Sequence, residues 1–285
     1  MKRNYLIQAI VFNLFRAIAL LVVLVLVGII GFIVVKGIGK VVDPTFWTDV
    51  PRDGLVEGGI FPAIIGTLLL TFLSIFFTCL IGVPAGIYMS EYAPKGKLKS
   101  TIDIMTNNLA GIPSIVFGLF GMTLFVVGMN LGDSLLAGAL TLSIMVLPVV
   151  IRTTEQAMED VPANLRNASL ALGATKFQTI RRVILPIATP RVVTGVILSI
   201  GRVAGETAPI LFTVAALYLP RLPHSLTDQV MALPYHLYIL SVSSPEPDKS
   251  MPMAYGTALV LLLLVLLFNV LAGYVRRRYS RKFKV

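Results

Sequence analysis

The sequence predicts an all-α membrane protein, a polytopic bundle of about six transmembrane helices. Hydrophobic residues make up 56% of the 285-residue chain and charged residues only 13%, about half the charged fraction of a soluble domain. The mean hydropathy is +0.87. Several apolar runs are longer than the roughly 18 residues that a helix needs to cross a bilayer.

The first predicted span covers about residues 17–35, after an N-terminal segment that carries Lys2, Arg3 and Arg16. This run is too long for the apolar region of a typical secretory signal and has no clear cleavage site, so we interpret it as a membrane span. The other predicted spans are about 61–90, 104–129, 135–151, 192–216 and 254–275. Gly82 and Gly86, one helical turn apart in the second span, would allow a neighbouring helix to approach closely.

The segments between the spans differ in composition. Residues 36–60 are punctuated by Gly and Pro and contain Trp47, which we expect at the membrane interface. Residues 217–253 are rich in Pro and polar residues, and 226–240 could form a short helix or a re-entrant segment. The tail 276–284 is strongly basic.

The distribution of Lys and Arg predicts the orientation of the chain in the membrane. One set of loops has five basic residues: Lys36, Lys40, Arg52, Arg221 and Lys249. The opposite set has many more: Lys2, Arg3, Arg16, Lys95, Lys97, Lys99, Arg152, Arg166, Lys176, Arg181, Arg182, Arg191 and the basic residues of the tail. We therefore expect both termini in the cytoplasm. The net charge of +10 reflects this topology and does not indicate a nucleic-acid partner.

Residues 157–190 form a polar, basic interruption that is too long for an unstructured loop. Asp160 or Val161 can cap a helix with Pro162 at its first position, and Gly173 can end it. Thr175 can cap a second helix, whose end we expect at Pro186, with Phe177, Ile180 and Ile184 on one face. The pattern predicts two short helices that form a compact knob outside the membrane.

The knob resembles the "EAA" loop of ABC-transporter permeases, which predicts an ABC type-1 permease architecture. Asn167, Ala168 and Ser169 stand at the opening triplet, Gly173 follows after three residues, and Leu185–Pro186 closes the pattern. Asn167 departs from the usual Glu. The resemblance implies that the loop docks onto the ATPase subunit through Asn167, Ala168, Leu172, Gly173, Ala174, Leu185 and Pro186. The alternative is an amphipathic helix pair that lies on the lipid surface.

The sequence offers little bond-making chemistry. No GxxxxGK[ST] phosphate loop and no GxSxG elbow occur. His224 and His236, both placed in the outer loop, have no Cys or carboxylate at metal-ligand spacing, and Cys79 is a single cysteine in an apolar run. We expect no cofactor, no metal and no catalytic site in this chain.

The fifth span carries an ionisable pair, Arg202 and Glu206, four residues apart. A glycine directly precedes each of them, Gly201 and Gly205, and Pro209 follows three residues after Glu206. This spacing places both side chains on one face of a continuous helix. A charge at mid-bilayer costs about 2.5–3.5 kcal/mol on insertion scales, so its presence needs a reason. The pair could be a structural lock between helices, or it could form an anion path or gate in which Arg202 attracts an oxyanion.

The segment GRVAGETAPILFT, together with residues 87–94, 109–121 and 137–155, resembles phosphate-specific ABC transporter permeases of the PstA type. The resemblance implies that Arg202, Glu206 and Thr207 act in phosphate passage. It also implies a PstC-type sister permease, a PstB-type ATPase dimer, an extracytoplasmic PstS-type phosphate-binding protein and a prokaryotic plasma or inner membrane, with lipid around the spans. The expected domains are an N-terminal tail with the first span and external loop (1–60), a permease domain (61–275) and a basic tail (276–285).

The predicted function is therefore that of the transmembrane subunit of an ATP-driven phosphate importer. One alternative is the same architecture moving another oxyanion, such as molybdate or sulfate. Another is an anion carrier driven by an ion gradient, which would have no need of the knob. A membrane-embedded enzyme is disfavoured because no catalytic set of residues is present.

Overall fold

The structure is a computed structural model that describes residues 2–94, 96–244 and 246–282. Lys95 and residues 283–285 of the basic tail therefore lie outside the described residues. The described chain is almost entirely helical. Its α-helices are α1 (Lys2–Val41), α2 (Pro44–Thr48), α3 (Phe61–Glu91), α4 (Lys97–Ala110), α5 (Ser114–Gly121), α6 (Leu135–Glu159), α7 (Ala163–Ala171), α8 (Lys176–Thr179), α9 (Leu185–Gly205), α10 (Ala208–Leu211), α11 (Leu233–Tyr238) and α12 (Pro247–Lys282).

Shorter elements join or extend these helices. Three π-helical segments, Met122–Gly128, Ile180–Ile184 and Ile239–Ser243, follow α5, α8 and α11 directly. A small antiparallel hairpin of β1 (Pro51–Arg52) and β2 (Glu57–Gly58) lies between α2 and α3.

Among the described residues, five helices are long and apolar enough to cross a membrane: Ile10–Val41, Phe61–Glu91, Leu135–Glu159, Lys176–Gly205 and Pro247–Tyr274. They match five of the six predicted spans. The chain is therefore an all-α, multi-pass membrane protein.

The third predicted span, 104–129, is not one continuous helix. The polar helix α4 ends at Ala110, and α5 begins at Ser114 after a turn that contains Pro113. Pro113 cannot donate a backbone hydrogen bond, and its ring would crowd the carbonyl of Leu109, so the helix breaks here. The remaining apolar helix, Ser114–Gly128, is only about 20 Å long, less than the roughly 30 Å of a hydrocarbon core. The chain nevertheless runs from one end of α6, where Lys99 contacts Glu159, to the other end at Leu135, so α4 and α5 together make a sixth pass along the bundle.

Helices α3 and α6 form the centre of the bundle because small residues let them approach closely. A Cβ atom on Gly82 would lie 3.1 Å from the Val150 side chain, and one on Gly86 would lie 2.6 Å from both the Ile151 carbonyl oxygen and the Thr154 Cβ. The predicted close contact at this glycine pair is confirmed. Between the two helices, Thr78 Oγ1 and Ser143 Oγ are hydrogen-bonded at 3.1 Å.

Replacing Gly86 with Val is expected to destabilise the protein by about 1–3 kcal/mol, because the new side chain meets backbone and a β-branched residue of α6 that cannot move aside. Thermal unfolding of the detergent-purified protein measures the loss. Gly28→Val in α1 is the control, since a Cβ there meets nothing within 4 Å. An unchanged unfolding temperature for Gly86→Val would contradict this helix packing.

On the side opposite the knob, the segment between α9 and α12 folds back into the bundle. Leu233, His236 and Leu240 are buried along α11 and its π-helical extension. The backbone N–H of Leu233 donates to Thr67 Oγ1 of α3 at 2.8 Å. A short helix therefore exists in this segment, as one interpretation of 226–240 anticipated, but it begins later, and His236 is part of the core rather than of an exposed loop.

Helix α1 lies at the edge of the bundle and contacts mainly α12. Phe32 packs edge-on against Tyr255, with ring centroids 5.6 Å apart. Gly37 permits the approach, because a Cβ there would lie 2.5 Å from the Tyr255 carbonyl oxygen. Most of the apolar surface of α1 is exposed in the single chain.

Candidate functional site

The knob, residues 157–190, is built by strong local signals. Helix α7 follows Pro162 and ends at Ala171 with Leu172 as its C-cap, and the next residue, Gly173, adopts a left-handed conformation with φ of +85°. The N–H groups of Gly173 and Ala174 donate to the carbonyls of Leu170 (3.0 Å) and Ser169 (3.3 Å), which is the Schellman pattern. The predicted stop at Gly173 is confirmed.

The second helix of the knob begins as predicted but does not end as predicted. Thr175 caps α8 through a capping box with Gln178. The expected end at Pro186 is wrong, because the chain continues as one helix through the segment Ile180–Ile184 into α9. Hydrogen bonds of a π-helical segment span five residues instead of four, and this wider turn lets the helix pass a residue without an N–H group. The knob thus consists of the short helix α7 packed against the first turns of the long helix Lys176–Gly205.

Several predicted docking residues lie on an exposed face of the knob. No residue of α7 is buried. Asn167, Ala168 and Gly173 are exposed, and Leu172 is 89% exposed. Exposed apolar residues on one projecting face are typical of a protein interface.

Two further apolar side chains, Leu170 and Phe177, extend this exposed face. The sequence did not mark them as docking residues, and the helical spacing wrongly grouped Phe177 with Ile180 and Ile184. The structure buries the two isoleucines but leaves Phe177 62% exposed. Their large apolar side chains in a polar segment were the signal that could have identified them.

The remaining predicted docking residues, Ala174, Leu185 and Pro186, are half-buried. Leu185 packs against the apolar cluster that fixes the knob to the bundle, which contains Ala157, Met158, Val161, Ile180, Ile184, Ala188 and Val192. Leu185 therefore supports the knob from inside.

Polar contacts also attach the knob to the bundle. Arg166 Nη2 of α7 lies 2.7 Å from Glu91 Oε1 at the end of α3. The Ser169 and Thr179 hydroxyl oxygens are 2.9 Å apart. The Lys176 ammonium lies 4.8 Å from the centroid of the Tyr92 ring. A groove of about 650 Å³ runs beside these contacts, between the ends of α3 and α6 and the knob.

Next to the knob, a charge cluster joins α4 to α6. Lys99 Nζ lies 3.0 Å from Glu155 and 3.3 Å from Glu159, while Arg152 contacts Asp103 at 2.9 Å and Glu155 at 2.6 Å. The hydrogen bond to Glu155, which favours the charged ammonium, raises the pKa of Lys99. These ion pairs hold the polar helix α4 against the last turns of α6, at the end of the bundle that carries the knob.

The second candidate site is the break after α9. Helix α9 ends at Gly205, Glu206 is extended with ψ of 131°, and α10 begins at Ala208. The expectation that Arg202 and Glu206 share one face of a continuous helix is therefore wrong. The cause is Pro209, whose ring would clash with the Gly205 carbonyl in an unbroken helix.

The two charges nevertheless meet across the break. Arg202 Nε lies 3.4 Å from Glu206 Oε1, and the side chains are 35% and 18% exposed. In the described part of the chain, Glu206 is the one carboxylate within ion-pair distance of Arg202. A partly exposed guanidinium with one long hydrogen bond to its carboxylate retains N–H donors for an anion.

The break is fixed by a second interrupted helix. Gly118 of α5 crosses α10 so closely that a Cβ there would lie 3.0 Å from the Ala208 carbonyl oxygen and from Pro209 Cα. Thr207, the third predicted path residue, is half-buried just before α10. Discontinuous helices that meet inside a bundle are typical of substrate sites in transporters. Among the described residues, no group of His, Cys, Asp and Glu could hold a metal ion.

Comparisons with known proteins agree with this architecture. The chain matches the family model described as "Binding-protein-dependent transport system inner membrane component" over residues 82–281, which include the knob and the helix break. It is 39% identical over 272 residues to a probable phosphate transport system permease protein PstA of Methanocaldococcus jannaschii, covering 93% of this chain and 90% of the relative. It is 34% identical to PstA 1 of Mycobacterium tuberculosis (strain CDC 1551 / Oshkosh), covering 90% and 84%.

Solved structures show the same fold. A chain of a bacterial alginate ABC transporter, in complex with an alginate-pentasaccharide-bound periplasmic protein, superposes with a TM-score of 0.66 at 16% identity, covering 98% of this chain and 96% of that chain. A chain of the MetNI methionine ABC transporter in an inward-facing conformation gives 0.61 at 23% identity, covering 76% and 94%. The chain belongs to the family of binding-protein-dependent transport system inner membrane components, and within it to the PstA-type permeases.

Proposed function

We propose that the chain is the transmembrane permease subunit of an ATP-driven importer of inorganic phosphate. The observation that carries this proposal is the similarity to PstA permeases over at least nine-tenths of the chain. The geometry supports it with two features that such a subunit needs. One is an exposed apolar face on the knob, and the other is a partly exposed arginine at a helix break inside the bundle.

In the proposed transport cycle, an extracytoplasmic PstS-type protein delivers phosphate to a cavity between this chain and a PstC-type sister permease. A PstB-type ATPase dimer docks on the knob through Asn167, Ala168, Leu172 and the exposed apolar residues near them. ATP binding and hydrolysis then move the knob and switch the side from which the cavity is open. This scheme places the knob and both termini in the cytoplasm, as the excess of Lys and Arg supports.

At the helix break, Arg202 supplies the charge that attracts phosphate. Its planar guanidinium can donate two parallel hydrogen bonds to phosphate oxygens, and these are stronger than bonds between neutral groups. Glu206 holds the guanidinium in place and gives it up when the anion competes. Thr207 follows Glu206 at the same break. The chain contributes position and charge, and the bond chemistry belongs to the ATPase subunit. The permease domain is proposed to span 61–275, between the segments 1–60 and 276–285.

Uptake of labelled phosphate into proteoliposomes that contain the whole complex tests this function. We expect uptake to require ATP and the ATPase subunit, and to persist when ionophores remove every ion gradient. Uptake that survives without ATP and stops with the gradient would instead support a gradient-driven carrier. Efficient competition by sulfate or molybdate, together with weak competition by phosphate, would support another oxyanion as the substrate.

A further inference from the structure

We propose that the Arg166–Glu91 ion pair is a transmission contact that makes α3 move together with the knob during transport. The pair is a positioning pair, because it does not touch the anion. The proposal rests on the proposed function, in which the ATPase subunit pushes on the knob. It adds a third membrane helix to the two, α6 and α9, that are joined to the knob through the backbone.

The geometry of the pair suits a mechanical contact. Arg166 lies on the exposed helix α7, while Glu91 is the last residue of α3, 75 positions away in the sequence. Their Nη2–Oε1 distance is 2.7 Å, and the side chains are 26% and 5% exposed. The same Nη2 atom is 3.4 Å from the Met158 carbonyl oxygen near the end of α6. One guanidinium therefore holds the ends of two membrane helices against the knob.

Electrostatics favours an Arg166–Glu91 ion pair that remains intact while the knob moves. The Glu91 carboxylate is almost fully buried and stands at the C-terminus of a helix, where the helix dipole already carries partial negative charge. A carboxylate in this position is stable only when a cation compensates it. Separating Arg166 from Glu91 would leave a buried charge unpaired, so the knob and the end of α3 are expected to move as one body.

Helix α3 can carry that movement to the opposite side of the bundle. It has 31 residues, and thus a length of about 46 Å at 1.5 Å per residue. Near its other end, Thr67 Oγ1 accepts the hydrogen bond from the backbone N–H of Leu233 on α11. Gly66 lies directly against the Met231 carbonyl oxygen, where no side chain fits. A displacement of the knob would therefore reach the segment that covers the other face of the bundle.

Asp160 of the knob and Arg191, the residue that directly follows the knob, provide a matched control for this proposal. This second arginine–carboxylate pair has side chains that are 61% and 58% exposed. Exposed ion pairs contribute little energy because water screens them. Arg191→Ala removes the same chemical group from the same region without exposing a buried charge.

The test uses the purified four-component complex in proteoliposomes and measures phosphate uptake and ATP hydrolysis in the same sample. For Arg166→Ala and for Glu91→Gln we expect the ATPase to remain bound while phosphate moved per ATP hydrolysed falls about tenfold. The exchange Glu91→Arg with Arg166→Glu should restore most of that ratio, because it rebuilds the pair with reversed charges. Arg191→Ala should leave the ratio unchanged.

Two results would overturn the proposal. One is an unchanged ratio in both single variants within an intact complex. The other is failure of both single variants to assemble with no recovery on charge exchange, which would make the pair only a folding contact. Failure of the proposed function is distinguishable from either, because the wild-type complex itself would then show no ATP-dependent phosphate uptake.

Discussion

Replacement of Arg202 with alanine is expected to reduce ATP-driven phosphate uptake on the order of 100-fold, while the complex still assembles. The physical reason is the loss of a guanidinium that stands partly exposed at the break between α9 and α10. A hydrogen bond from the guanidinium to a charged phosphate oxygen contributes about 1.5–3 kcal/mol, which corresponds to a factor of roughly 10 to 150. Initial rates of labelled phosphate uptake, normalised to the amount of assembled complex, measure the effect.

Two variants separate charge at this site from effects elsewhere. Arg202→Lys keeps the positive charge but loses the planar fork, so partial uptake is expected. Arg221→Ala removes an exposed arginine from the segment that follows α10, and uptake should stay at the wild-type rate. If Arg202→Ala transports phosphate like the wild type, the pair is a structural lock between helices, and the assignment of Arg202 to the anion path is wrong.

Replacement of Gly173 with valine is expected to release the ATPase subunit or to uncouple its hydrolysis from uptake. Gly173 has φ of +85°, and a β-branched residue held in this region costs about 1–3 kcal/mol of backbone strain. A Cβ at Gly173 would meet nothing within 4 Å, so the effect arises from the backbone alone. The strain would shift the stop of α7 and thereby displace Leu172 and the exposed face beside it. Co-purification of the ATPase with the permease and coupled uptake are the two measurements.

Gly132 provides the matched control for this backbone effect. It also has a positive φ, +65°, with nothing within 4 Å of a Cβ, but it lies in the turn between the α5 segment and α6, at the opposite end of α6 from the knob. Gly132→Val should therefore cause similar backbone strain and leave ATPase binding intact. Equal loss of the ATPase in both variants would show that general instability, and not the knob, causes the release.

The fold was predictable where a local pattern determines it. Long apolar runs identified five spans because a helix needs such a run to cross lipid. The knob was predictable because Gly173 ends one helix and Thr175, two residues later, caps the next. Prolines were less informative, since their effect depends on what packs around them. Pro84 and Pro148 lie inside intact helices, Pro186 follows a π-helical turn, and Pro113 and Pro209 stand at breaks.

The sequence identified the charged pair in the fifth span, but it could not predict the geometry of that pair. A charged pair in an apolar span pointed to Arg202 and Glu206, whereas the break that separates them depends on α5 crossing α10 at Gly118. The contact between Arg166 and Glu91 joins segments 75 positions apart, and no short-range pattern indicates such a pairing. The docking role of the knob and the path role of Arg202 remain predictions that the variants above test.

The helix from Lys176 to Gly205 joins the knob directly to Arg202, with the exposed face of the knob beside its first residues and the guanidinium in its last turn. The direction in which Arg202 points, relative to the exposed face of the knob, therefore depends on the number of residues between them. Each α-helical residue rotates the chain about 100° around the helix axis, and each residue of the π-helical segment Ile180–Ile184 rotates it somewhat less. Relatives of this protein that use the same knob and the same arginine are therefore constrained to keep that interval constant, or to change it only by near-whole turns.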